Sequence, residues 1–197
     1  VNRQSAFTLV LLALTPLLGG CAALVLGGAA VGVATVHDRR PYYVVIDDQD
    51  IELSAQGILN AEKQISSRSR ISVTSYNRKV LLTGQADTES VAAHAAGLVS
   101  RMPKVERVID EVTIGPGIDL MQESNDVVIT TRAKVSLAEL SLPGFDPTRV
   151  KVVTEDGVVY LMGLVSPEEA EAAAEKIRYV PGVKRVVKLF EYPETYS

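Results

Sequence analysis

Cys21 is the only thiol among the 197 residues, and His37 and His94 are the only imidazoles. A single cysteine rules out an internal disulfide, a cysteine zinc cluster and a CxxC redox pair. The two histidines fall in segments of different character, so a metal site or a nucleophile–base pair would have to be built almost from carboxylates alone. The acidic cluster Asp47, Asp48 and Asp50 lies where a helix is expected to begin. There the carboxylates are read as N-caps and partners of the helix dipole rather than as metal ligands. No catalytic residue, metal site or cofactor is assigned, and an enzymatic reading has no supporting constellation. With 20 basic and 24 acidic residues the formal charge is −4, which gives no bias towards nucleic acid. The short basic run Lys184, Arg185 and Lys188 is read as a solvated strand edge.

The surroundings of Cys21 point to a different chemistry. A polar, weakly basic start (Asn2, Arg3, Gln4) leads into an apolar run over 6–18 that is too short to span a bilayer as a helix, the layout of a secretory signal. The run closes on Leu18-Gly19-Gly20-Cys21, which resembles the lipobox of bacterial lipoproteins, an aliphatic residue and two small ones before a cysteine. The resemblance implies cleavage before Cys21, lipidation of its thiol and acylation of its amine, and more than one acyl chain gives stable anchoring. Ala22 rather than Asp after the cysteine implies onward sorting to the outer membrane. The plainer alternative is a small buried hydrophobe in an apolar segment. Residues 1–20 are thus expected to be a lipoprotein signal peptide. Residues 21–46 are expected to be the lipidated N-terminus and a flexible tether, which includes the Gly- and Ala-rich stretch 22–36 and the charged break His37-Asp38-Arg39-Arg40-Pro41.

From Asp47 the pattern occurs twice. Residues 71–84 (ISVTSYNRKVLLTG) and 150–163 (VKVVTEDGVVYLMG) each hold alternating apolar residues, a polar turn, a second alternating run and a closing glycine. The segments 88–108 and 166–186 then match once one residue is dropped from the preceding loop. Each copy predicts a first helix (about 48–65 and 125–140), a hairpin (71–76 with 79–85, and 149–154 with 158–165), a second helix from Thr88 or Ser166, and a last strand (105–114 or 183–191). Asp156-Gly157 is a strong hairpin signal, and Ser166-Pro167-Glu168-Glu169 supplies an N-cap, a proline at the first helical position and acidic residues in the first turn. The expected fold class is α+β, two tandem αββαβ two-layer sandwiches over 47–115 and 124–192, joined through Gly115-Pro116-Gly117. Domains this small have thin cores, and packing of one copy on the other or on a partner would help both.

The segments DDQDIEL (47–53), SNDVVITTRAKVSL (124–137), EDGVVYLMGLV (155–165) and PGVKRVV (181–187) resemble BON domains. Together with the lipobox they resemble the dual-BON-domain outer-membrane lipoproteins of the DolP (YraP) type. That resemblance implies a non-enzymatic, periplasm-facing, lipid-anchored protein that binds phospholipid and supports outer-membrane integrity. The partners expected from it are a phospholipid membrane and other envelope proteins. It also implies that the lipid-contacting surface lies on the first helix of the second module.

The two first helices can be compared with each other. Ile51, Ala55 and Leu59 align with Ile129, Ala133 and Leu137 as a common apolar stripe, the expected core face. At about 100° per residue, Val127, Val128, Thr131, Val135 and Ala138 fall on another arc of the second copy's helix, with Arg132 and Lys134 beside it. The matching positions of the first copy are Gln49, Asp50, Leu53, Gly57 and Asn60, so only one copy makes this arc apolar. Val127, Val128, Thr131, Arg132, Lys134 and Val135 are the candidate lipid-binding residues, and Cys21 is the candidate lipidation site. Two alternatives stand beside this reading. The second stripe could bury against the first module, or the protein could be a structural interaction module whose sheets or edge strands bind envelope proteins.

Overall fold

Residues 38–193 are described by a computed structural model. The expected signal peptide, Cys21 and the tether up to residue 37 lie outside the described residues. The first copy consists of α1 (Tyr42–Ala61), a short α2 (Lys63–Ser66), β1 (Ser69–Tyr76), β2 (Lys79–Ala86), α3 (Glu89–Val99) and a last strand broken into β3 (Arg107–Asp110) and β4 (Thr113–Ile114). The second consists of α4 (Leu120–Ala138), a 3-10 turn (Pro147–Arg149), β5 (Lys151–Glu155), β6 (Val158–Leu164), α5 (Pro167–Ile177) and β7 (Arg185–Glu191). In each copy the hairpin is antiparallel and the crossover helix returns the chain parallel to the middle strand, giving the orders β1-β2-β3 and β5-β6-β7. The αββαβ order expected from the repeat is thus present twice.

The first helices begin earlier than the sequence periodicity indicates. Asp119 accepts from the Gln122 backbone at 2.8 Å and Gln122 accepts from the Asp119 backbone at 3.1 Å. This capping box starts α4 at Leu120, more than a turn before the expected Asn125. α1 starts at Tyr42, directly after Pro41, so residues 42–46 are its first turns and not tether. Asp47 and Asp48 are consequently interior helix residues rather than N-caps.

Asp48 instead holds the hairpin. Its buried carboxylate accepts from the Ser75 hydroxyl at 2.6 Å and from the backbone N–H groups of Asn77 and Arg78 at 2.7 Å each. Those two residues form the β1–β2 turn with φ of 51° and 63°, the left-handed conformation that a two-residue hairpin needs and that side chains disfavour. Asp126 does the same in the second copy, accepting from Asp156 at 2.7 Å and Gly157 at 2.8 Å across a turn with φ of 46° and 73°.

β2 and β6 are apolar on both faces. Val80 and Leu82 point to the helices with Ile51, Ala55, Leu59 and Ala95, while Val159 and Leu161 meet Ile129, Ala133, Leu137 and Ala173. The intervening residues, Leu81 on β2 and Tyr160 and Met162 on β6, form a third cluster with Tyr76, which also takes in Ile109, Val153, Val187 and Leu189. The two sheets therefore pack back to back, with each helix pair on an outer side. Polar contacts ring this layer: Arg70 to Glu155 at 3.1 Å, Lys151 to Glu52 at 2.5 Å, Asn77 to Glu191 at 3.0 Å and Gln85 to Glu155 at 2.7 Å. Burial, with the Glu111 charge beside it, pushes the Tyr160 hydroxyl up to about 12, and it donates to Glu111 at 3.3 Å.

Arg39 and Arg40, at the start of the described residues, join both copies. Arg39 forms a two-pronged pair with the buried Glu169 at 2.7 and 3.0 Å in the second copy. Arg40 bonds Asp48 at 2.6 Å in the first and lies 3.7 Å above the Tyr76 ring. The Tyr76 hydroxyl in turn accepts from the Leu164 backbone at 3.1 Å. Burial alone would raise the Glu169 carboxyl, but the hydrogen bonds from Arg39 and the Ser166 backbone, with the charges of Arg39 and Arg149, hold it below its ordinary value.

Two outcomes follow from this packing. Leu81→Ala removes a fully buried side chain from the shared layer and should cost about 2–5 kcal/mol, read in urea as one cooperative transition by probes in both copies. The Glu169 carboxyl is more acidic folded than unfolded, so the stability it contributes is present above its ordinary value of 4.5 and is lost as pH falls through the lower folded value. The urea midpoint should fall on acidification below that point, and Arg39→Ala should shrink the fall.

Candidate functional site

A helix packed on one sheet face needs one apolar stripe, and α4 has two. Ile129, Ala133 and Leu137 are buried in the core of the second copy. On the other arc Val127 is 67 % exposed, Val128 43 % and Val135 54 %, and Thr131, Arg132 and Lys134 are exposed as well. α4 packs on β5, α5 and the 3-10 turn; it meets the first copy through the ion pair of Glu123 with Arg70 at 2.7 Å, while the apolar contact between copies comes from the sheets. The alternative in which the second stripe buries against the first module does not hold for Val127, Val128 and Val135, which stay exposed; the sheet backs fill the apolar contact between the copies.

The structure brings the candidate residues together on one surface and lengthens it. Because α4 starts at Leu120, Leu120 and Met121 fall on the same arc about two turns upstream of Val127, 80 % and 74 % exposed. They precede the apolar periodicity of the helix; the usable signal for them is the capping pair in Asp119-Leu120-Met121-Gln122, Asp119 followed three residues later by Gln122. Arg132 donates to the Pro181 carbonyl at 3.3 Å, and among the described residues neither Arg132 nor Lys134 forms an ion pair. Beside the stripe, a mostly apolar groove of about 520 Å³ runs between α4 and the turn after α5, lined by Thr131, Val135, Ser136, Lys176, Tyr179 and Pro181 among others.

The equivalent surface of α1 differs. Tyr42, Tyr43 and Ile46 are exposed at its start and Leu53 further along, but Gln49, Asp50, Gly57 and Asn60 interrupt the arc with polar or minimal side chains. The basic run of β7 is largely paired: Lys184 bonds Asp156 at 2.8 Å, Arg185 lies 3.7 Å from Glu111 and Lys188 bonds Glu171. Among the described residues no cluster of His, Cys, Asp and Glu could hold a metal ion, and no helix is long and apolar enough to cross a membrane.

Residues 47–116 and 125–194 each match the BON domain. The chain belongs to the BON-domain family. It is 36 % identical to the outer membrane lipoprotein DolP of Haemophilus influenzae, over 93 % of this chain and 94 % of that protein. It is 39 % identical to a 21 kDa hemolysin of Actinobacillus pleuropneumoniae over 79 % of each chain. The arrangement and the extent of these matches make this a dual-BON protein of the DolP type, an outer-membrane lipoprotein class. Among solved structures, the type III secretion protein CdsD of Chlamydia trachomatis matches with a TM-score of 0.29 and 15 % identity over 75 % of this chain and 65 % of that one, a likeness too slight to bear on function.

Exposure of the second stripe has a direct consequence for stability. Val128→Glu and Val135→Glu should leave the unfolding free energy within about 0.5 kcal/mol of the parent. Ile129→Glu, which buries a carboxylate in the core, should prevent folding or lower the urea midpoint drastically.

Proposed function

We propose that this BON protein is a periplasm-facing, non-enzymatic lipoprotein that is held in the outer membrane through Cys21 and supports membrane integrity by binding phospholipid surfaces, anionic ones in preference, with the outer face of α4. The observation that carries this reading is the exposed second stripe, Val127, Val128, Thr131 and Val135 with Leu120 and Met121, flanked by Arg132 and Lys134, which form no ion pair among the described residues. A helix with one face in the core and an opposite apolar face edged by cations can settle its side chains at the acyl boundary while the cations meet headgroup phosphates. Each cation near an anionic surface is worth about 1 kcal/mol. That is weak alone, but anchoring at the lipidated cysteine would keep the local lipid concentration high, so a modest second contact is sufficient.

A second reading, an envelope protein-interaction module, is favoured by the exposed Tyr42 and Tyr43 of α1, a residue type enriched at protein interfaces. Flotation separates the two. A fragment of residues 38–197, which holds both cores and the sheet interface, should co-float with phosphatidylglycerol vesicles, less so at high salt. Val128→Glu should abolish flotation without lowering the melting temperature. Equal flotation of parent and Val128→Glu would remove α4 from the reading, and no flotation of the parent would leave the protein-interaction module.

A further inference from the structure

Building on the reading of α4 as a lipid-contacting face, we infer that the turn between α5 and β7 is a second membrane-contacting element and that Tyr179 is its interfacial anchor. Tyr179 is 71 % exposed, although Ile177 and Val180 on either side of it are buried. Its ring lines the same groove as Thr131 and Val135 of α4. The helix itself carries no aromatic residue and the chain has no Trp. Tyr179 is therefore the aromatic group of this surface, with the amphipathic ring that suits the boundary between headgroups and acyl chains.

The turn and the helix are built as one body. Gly182 has φ of 98°, and a Cβ there would come within 2.9 Å of the Ile129 side chain, so the glycine lets the turn close onto α4. Arg132 ties the same turn to the helix through the Pro181 carbonyl at 3.3 Å. Arg178 lies 5.1 Å from the Tyr179 ring and is oriented by Glu175 at 2.9 Å, while Lys176 stands on the groove rim 3.9 Å from Glu139. Aromatic and cations are thus presented together, as an anionic lipid surface requires.

The first copy provides an internal contrast. Aligning Pro181 with Pro103 places Arg101 at the position of Tyr179 and Lys104 at that of Gly182. The copy whose first helix has a polar outer arc therefore also has a charged turn, and the copy with the apolar arc has the tyrosine. Two elements far apart in sequence differ between the copies in the same direction.

Because the chain has no Trp, Tyr179→Trp in residues 38–197 makes a single-tryptophan reporter, and Val128→Trp makes a second one on α4. Vesicles of phosphatidylglycerol and phosphatidylethanolamine should shift the emission of both to the blue, and bromine-labelled acyl chains should quench both. Tyr179→Ser should lower vesicle partitioning several-fold while leaving the urea midpoint unchanged. A shift of Val128→Trp with Tyr179→Trp remaining water-like, or unchanged partitioning of Tyr179→Ser, would overturn the role of the turn and leave α4 as the lipid face. Absence of vesicle binding by the parent would overturn both.

Discussion

The apolar layer between the two sheets decides how every other surface of this protein is used. Leu81, Tyr76, Tyr160 and Met162 are each nearly inaccessible, and they come from the faces of β1, β2 and β6 that point away from the helices. A two-layer αββαβ unit of this size leaves one sheet face bare, and a bare apolar sheet face invites association. Here each copy covers the other. The helices are thereby placed on the outside, and whatever apolar surface they carry beyond their core stripe meets the surroundings of the protein. The exposed arc of α4 is a consequence of that arrangement.

The two copies share their scaffold and differ in their outer surfaces. Asp48 and Asp126 occupy matching helix positions, and both use a carboxylate to satisfy the N–H groups of a left-handed turn. The shared device fixes each first helix against its own hairpin, so that the helix direction is set by local geometry in both copies. Outside the core stripe no such constraint operates. Asp50 and Val128 align, as do Arg101 and Tyr179, and substitutions there change what the surface can meet without disturbing what holds the module together. The Arg39–Glu169 and Arg40–Asp48 pairs add a further constraint: the segment that leads into α1 is fixed to both copies at once.

Much of this architecture was legible in advance. The duplication of 71–84 in 150–163, the capping signal at Ser166 and the hairpin at Asp156-Gly157 specified the order of elements, because caps and tight turns are local chemistry. The core stripes of α1 and α4 were legible too, since helical periodicity records which face is buried. The starts of both first helices were not legible in the apolar pattern, which begins later than the helix; at α4 the signal is the capping pair Asp119 and Gln122. That late start is also why the pattern places Asp48 at a cap. Its real partners, Ser75, Asn77 and Arg78, are a hairpin away.

The sequence alone determined the fold class, the duplication, the core faces and the presence of a second apolar arc on one helix, because each is written in residues close together in the chain. The alternating pattern expected of β2 and β6 did not record that both faces of each sheet are covered. What covers them was decided only by the tertiary structure, since an apolar face carries no address and the sheet of one copy, a helix or a foreign protein satisfies it equally. The same holds for the groove at α4. Tyr179 and Val135 are separated by a hairpin and a helix, and only the close approach of Gly182 to Ile129 makes them neighbours on one surface.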